Sequence, residues 1–241
     1  MITLRADLHT HTVASGHAYS TIKEMAELAG EKGLELIAMT DHAPAMPGSC
    51  QPLHFSNLRA LPRQINGVTV LRGVELNVLN TQGKLDLPRG LQERLEWRIA
   101  SLHENVLIPE EGCDYTGLYL ALAENPQIDM IGHPDSPDFP FDVEAVVPVW
   151  AAKGKVVELN EHHAFDLSPR SLENAKRLMA ACARCGALVS VDSDAHTCWG
   201  VGEFSRAAAL LNEMGFPEEQ VLNTSAQKVL EFINSKSKRV L

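Results

Sequence analysis

Asp7-Leu8-His9-Thr10-His11, which ends the apolar run 4–8, is the stretch on which the fold reading turns. Side chains alternate faces along extended backbone, so His9 and His11 point the same way and are spaced to chelate one cation. The same spacing returns near the other end of the chain, where the apolar run 188–192 leads into Ser193-Asp194-Ala195-His196. Between these bookends, short apolar, β-branched runs at 34–40, 68–77, 97–102, 128–132 and 156–160 alternate with helical patterns at 22–32, 115–124, 143–153 and 169–185. Two more helical patterns, 203–214 and 226–234, close the chain. Seven strands in strand–helix order predict an α/β parallel sheet, and 241 residues suit a barrel as one domain, 1–241.

The helix at 169–185 is marked at both ends, with Ser168 as cap, Pro169 at the first helical position and Gly186 past the last. The conspicuous irregular segment is 43–57, with Pro44, Pro47, Gly48 and Pro52. It is read either as a lid over the strand ends or as a surface connection. Cys182-Ala-Arg-Cys185 has no second pair and falls late in a helix, where a thiolate gains nothing from the dipole, so ordinary helix cysteines are expected.

Charge narrows the partners. With 21 Lys and Arg against 31 Asp and Glu the net charge is −10, and basic residues cluster only at the end, Lys236, Lys238 and Arg239, read as a frayed polar terminus. Docking on nucleic acid is disfavoured, while bound cations would let an acidic pocket take a small phosphorylated substrate. No apolar run is long enough to span a bilayer, no secretory signal begins the chain, and five cysteines form an odd set; the expectation is a cytoplasmic protein without membrane partners. Whether it forms a homo-oligomer is left open.

Seven of the ten histidines fall just past a predicted strand end: His9, His11, His17, His42, His103, His133 and His196. Barrels place their chemistry on that rim. Without metal, many neutral imidazoles would have to find partners there for their acceptor nitrogens. With Glu75 and Asp194 they make nine ligands of imidazole and carboxylate type, too many for one ion and enough for two or three. Such a set favours Zn2+, with Mn2+ and Fe2+ open. Asp41 precedes His42 and is placed to accept an imidazole N–H; Asp7, on the face of His9, either does the same or ligates directly. His54 in the irregular segment and His162 and His163 after strand six are read as substrate contacts or as polar rim residues.

Asp7-Leu8-His9-Thr10-His11-Thr12, Thr40-Asp41-His42, Gly73-Val74-Glu75, His103, Gly132-His133-Pro134 and Ser193-Asp194-Ala195-His196 together resemble the PHP (polymerase and histidinol phosphatase) superfamily over nearly the whole chain. Thr12-Val13-Ala14-Ser15-Gly16-His17-Ala18-Tyr19-Ser20 and Leu71-Arg72-Gly73-Val74-Glu75 are similar to its YcdX-like bacterial phosphatases. The resemblance implies a distorted seven-stranded (βα)7 TIM-like barrel, the PHP fold, with a trinuclear metal centre. It assigns His9, His11, Glu75 and Asp194 to one ion, Glu75, His103 and His133 to a second, and His17, His42 and His196 to the third. His162 and His163 are departures that the resemblance does not account for.

Both readings lead to hydrolysis of a phosphate monoester by a metal-bound hydroxide, with Glu75, Asp194 and His196 as the catalytic assignments. Competing readings are a metal-dependent nuclease or phosphodiesterase, amidohydrolase chemistry, and a non-catalytic metal-binding regulatory protein. The acidic balance weighs against the first. The resemblance gives Glu75 the bridging place that a modified lysine fills in many amidohydrolases, and the absence of thiolate ligands weighs against a purely structural metal site.

Overall fold

Residues 1–236 are described in the computed structural model. The strands are β1 (Ala6–Asp7), β2 (Leu36–Met39), β3 (Gln64–Ile65), β4 (Val68–Asn77), β5 (Trp97–Ser101), β6 (Met130–Ile131), β7 (Val156–Asn160) and β8 (Leu188–Asp192). Seven of them run parallel in the order β1-β2-β4-β5-β6-β7-β8, and the two-residue β3 pairs antiparallel with β4. The helices are α1 (Ile22–Glu31), α2 (Pro52–Asn57), α3 (Arg89–Gln92), α4 (Thr116–Glu124), α5 (Val143–Ala152), α6 (Pro169–Cys185), α7 (Ser205–Glu213) and α8 (Ala226–Lys236). The sheet is a nearly closed barrel, as the strand count predicts.

Alternation sorts the strand residues between two apolar layers. Leu36 and Ala38 join Leu8, Leu71, Trp97, Ile99, Met130 and Val156 in one cluster, which packs on Val229 and Ile233 of α8. Ile37 and Met39 belong to the other, shared with the surrounding helices. With α8 packed on the first cluster, the strand ends that carry the histidines are left for a cavity. Lys236, expected in a frayed end, is the last residue of α8, its Nζ 4.5 Å from the Phe232 ring centroid; Lys238 and Arg239 lie outside the described residues.

The seam between β1 and β8 is closed by side chains rather than by a full ladder. Asn223, fully buried, donates through Nδ2 to the carbonyls of Ala6 (2.9 Å) and Val191 (2.6 Å), and its Oδ1 accepts from Val191 N. Leu8 N donates to Asp192 Oδ1 at 2.7 Å, and beyond the strands His11 N reaches Ala195 O at 2.9 Å.

The 43–57 segment is neither a free flap nor a bare connection. Phe55 of α2 packs with Leu58, Val74 and Leu76, while Met46 and Pro47 border the cavity described below. After β7 the chain makes a π-helical turn, His163–Leu167, before α6 begins. Cys182 is buried in α6, and the five cysteines are unpaired with one another. Among the described residues no helix is long and apolar enough to cross a membrane.

Candidate metal centre

All nine expected ligands meet at the carboxyl ends of the strands. Glu75, fully buried near the end of β4, is the hub. Its Oε1 lies 3.3 Å from His9 Nε2, 3.2 Å from His103 Nε2 and 3.1 Å from His133 Nε2. Its Oε2 lies 2.6 Å from His42 Nδ1 and 3.5 Å from His11 Nε2. Asp194 Oδ1 is 3.1 Å from His11 Nε2 and 3.7 Å from His9 Nε2. His17 and His196 extend the cluster outward, their Nε2 atoms 3.0 Å apart.

In four of the histidines the nitrogen facing away from this centre is taken up, which fixes what the inner nitrogen presents. His9 Nδ1 donates to Glu158 Oε1 at 2.7 Å, and His103 Nδ1 to Asn77 Oδ1 at 2.8 Å. His196 Nδ1 donates to the Asp194 carbonyl at 2.8 Å. Ser15 Oγ donates to Asp41 Oδ1 at 2.7 Å, so it accepts from His11 Nδ1 at 3.0 Å, leaving His11 Nε2 as a bare lone pair. That lone pair faces carboxylate oxygens of Asp194 and Glu75 with no proton between them.

Five fully buried atoms in the cluster have no hydrogen-bond partner: His9 Nε2, His11 Nε2, His42 Nδ1, Glu75 Oε2 and Asp194 Oδ1. Buried polar atoms are almost always satisfied, and acceptors converging on acceptors repel unless a cation stands among them. Imidazole and carboxylate donors of this kind fit zinc and similar first-row ions. Three donor triplets lie within 4.8 Å: His11 with His42 and His196, His9 with His11 and Glu75, and His42 with Glu75 and His103.

Electrostatics agree with the geometry. Burial pushes the Glu75 carboxyl up, but His42, His9 and His103 around it hold it well below the usual carboxylate range. Asp194 is likewise opposed by burial and held low by His9 and His11. Burial, with His42 beside it, pushes His11 down to about 3, so its imidazole is neutral at any ordinary pH.

Two of the expected ligands sit on left-handed backbone that L residues rarely adopt, His133 at φ 27° and Asp194 at φ 55°. Such conformations cluster at functional sites and persist where the surroundings impose them. The His133 N–H is held by Glu158 Oε2 at 2.6 Å, and Asp194 Oδ2 accepts from Asn160 Nδ2 at 3.1 Å.

Other expected residues fall elsewhere. Asp7 meets no imidazole: its carboxylate accepts from the N–H groups of Ser193 (3.2 Å) and Gly202 (2.9 Å), fastening β1 to the loop after β8. Burial raises it to about 6. Asp41 works through Ser15 rather than directly on a ligand, because Thr12 and Ser15 claim its oxygens. His54 does not border the cavity; α2 turns it behind the ligands, its Nε2 3.4 Å from Asp41 Oδ2. His162 and His163 do line the cavity, of about 840 Å³, that opens beside the cluster. Sequence reasoning missed Glu158, Ser15, Asn77 and Asn160; an acid inside the apolar run Val156–Asn160 was the available sign of the first.

The PHP domain family matches residues 7–162 of this sequence. The chain belongs to the PHP family. Over 234 residues this PHP chain is 42% identical to a probable phosphatase of Acetivibrio thermocellus, covering 97% of both proteins. It is 43% identical over 236 residues to a probable phosphatase of Caldanaerobacter subterraneus subsp. tengcongensis, covering 97% of this chain and 92% of the relative. Among solved structures, a histidinol phosphate phosphatase of Lactococcus lactis subsp. lactis, complexed with zinc, L-histidinol and phosphate, superposes with a TM-score of 0.65. The identity is 18%, with 89% of this chain and 95% of that one covered. A chain in archaeal ribonuclease P with mature tRNA also shares the fold, at a TM-score of 0.58 and 11% identity, covering 95% and 90%. At such identities the likeness is one of fold alone, so the site has to carry the functional argument.

Proposed function

We propose that this protein is a metal-dependent hydrolase of phosphate monoesters, working on three divalent cations of zinc type. The observation that carries the proposal is the set of bare, buried donors converging on one another from four strand ends. The phosphatase names of relatives matched over nearly their full length support the reaction class. His9, His11, Glu75 and Asp194 would hold one ion, Glu75, His103 and His133 a second, and His17, His42 and His196 the third. When bound, such ions supply Lewis-acid polarisation of phosphoryl oxygens and a water of lowered pKa.

The chain's own residues do the rest. Glu158, Ser15 and Asn77 fix the tautomers of His9, His11 and His103, so that lone pairs rather than N–H bonds face inward. Asn160 holds one oxygen of Asp194 and leaves the other for the centre. The adjoining cavity has room for an alcohol leaving group.

Metal analysis of the purified protein, followed by a panel of phosphomonoesters, phosphodiesters and amides, tests the proposal with Glu75→Ala as control. Two to three first-row ions per chain are expected, with monoesterase activity that falls by roughly a thousandfold or more in the variant. Protein that binds no metal, or activity unchanged in Glu75→Ala, overturns the mechanism. Preference for diesters, or for single-stranded nucleic acid, replaces the monoesterase by a phosphodiesterase.

A further inference from the structure

The metal-type donors line part of the 840 Å³ cavity; the rest of its wall includes residues after β5, β6 and β7 that the reaction centre does not use. Leu102 and Glu104 follow β5, Asp138 and Phe139 follow β6, and His163 and Leu167 belong to the π-turn after β7. Their charge is one-sided. Glu104 and Asp138 are exposed, neither is in an ion pair among the described residues, and no Lys or Arg lines the cavity. Arg177 faces a separate cavity of about 70 Å³ that shares only Ser136 and Phe139 with this one.

His163 is the polar group of this wall that is held to the reaction centre. Its ring stacks on His133, with centroids 4.5 Å apart and planes 10° from parallel. The His163 backbone N–H donates to Asn160 Oδ1, the residue whose amide also binds Asp194. Nδ1 is buried 3.3 Å from Asp135 Oδ1, which leaves the opposite edge of the ring toward the cavity. The turn is braced from behind, where Arg206 donates to both oxygens of Asp166 and to Glu161. Single π-turns concentrate at functional sites, and this one sets a side chain that a regular helix would place elsewhere.

We infer that this wall is a leaving-group subsite which takes alcohols carrying no further negative charge, with His163 as its specificity-determining contact. The inference rests on the monoesterase reading above. A phosphoryl group drawn to the donor cluster turns its ester oxygen and alcohol toward the wall. A hydroxyl there finds an imidazole edge beside apolar surface; a second phosphate finds two unpaired carboxylates and no basic side chain. Like charges at such exposed positions lower binding by about three- to tenfold.

Steady-state kinetics of the metal-loaded enzyme on methyl phosphate, a hexose monophosphate and the matching hexose bisphosphate test it. The wild type is expected to prefer the monophosphate to the bisphosphate about tenfold or more in kcat/KM. Glu104→Gln with Asp138→Asn narrows that gap about three- to tenfold. His163→Ala raises the KM ratio of hexose phosphate to methyl phosphate, and His163→Asn restores part of it; a role limited to propping His133 would impair both substrates alike. Competition by the corresponding mono- and bisphosphonates, which are not cleaved, reads the same preference without turnover. Equal use of mono- and bisphosphate, or a gap unmoved in the double variant, overturns the subsite while leaving the phosphoesterase intact. Failure to cleave any of the three overturns both.

Discussion

His9 and His11 stand two residues apart, yet their surroundings drive their protonation in opposite directions. Burial pulls both imidazoles down; at His9 the charges of Glu158, Asp194 and Glu75 overcome it and raise the pKa well above 6.5, whereas His42 deepens the fall at His11. Without a cation the surrounding carboxylates favour a proton on His9 Nε2, and the inward lone pair that a metal needs is reached by releasing it. The sign follows: metal affinity rises with pH up to the His9 pKa and levels off beyond it. Glu158 is the partner that orients His9, and it also holds the strained His133 backbone. Glu158→Gln should lower metal affinity about 10–100-fold in chelator competition, with little change in fold by circular dichroism. Unchanged affinity would show that His9 is oriented by packing alone. That an acid in a buried strand matters was readable from Val-Val-Glu-Leu-Asn; which histidine it serves, 149 residues away in sequence, was not.

At the scale of elements, local signals were read well and local exceptions poorly. Helix α6 starts and stops where its residues say: Ser168 Oγ accepts from Ser171 N, Pro169 sits at the first helical position, and Gly186 takes φ 70°. Short α2 and the π-turn escaped, because a single turn carries too little periodicity to stand out and its shape is imposed by Asp41, Arg206 and the apolar cluster around Phe55. Gly132 shows how closely elements meet near the site. A Cβ there would stand 2.1 Å from Ser101 Oγ and 2.8 Å from Ile99 Cγ2, so β5 and β6 approach over a missing side chain just before His133. Gly132→Ala should cost about 1–3 kcal/mol in urea unfolding and weaken metal binding through the displaced His133 and His103. A variant as stable as wild type would mean that Ser101 turns aside freely.

For the whole molecule, barrel closure and the reaction centre are one problem. β1 brings His9 and His11, β8 brings Asp194 and His196, and the seam between them is bridged by Asn223, Asp7 and Ser193. Asn223 belongs to neither strand; it comes from a turn near the end of the chain and supplies the donors and acceptor that a missing stretch of ladder would have used. Asn223→Ala leaves those backbone groups buried and unpaired, and should destabilise the fold by about 2–4 kcal/mol. Because the seam carries proposed ligands on both sides, metal affinity measured under native conditions should fall as well. Loss of stability with affinity intact would separate the two.

Local pattern was enough for the strand–helix alternation, for the strand-end placement of the nine residues that meet in the cluster and for the resemblance that names the family, because period, caps and strand-end placement are short-range properties of a chain. The tertiary structure alone decided which carboxylates serve the centre and which serve the barrel. Asp7 and Glu158 are both buried acids of short apolar strands, and no local pattern separates them. Neighbours do: Asp7 meets N–H groups across the seam, and Glu158 meets an imidazole. The same holds for the outer histidines, where His54 is turned away behind Asp41 and His163 is turned inward by a π-turn whose braces lie on β7 and α7. Contacts between residues far apart in sequence set those orientations, so they exist only once the barrel has closed.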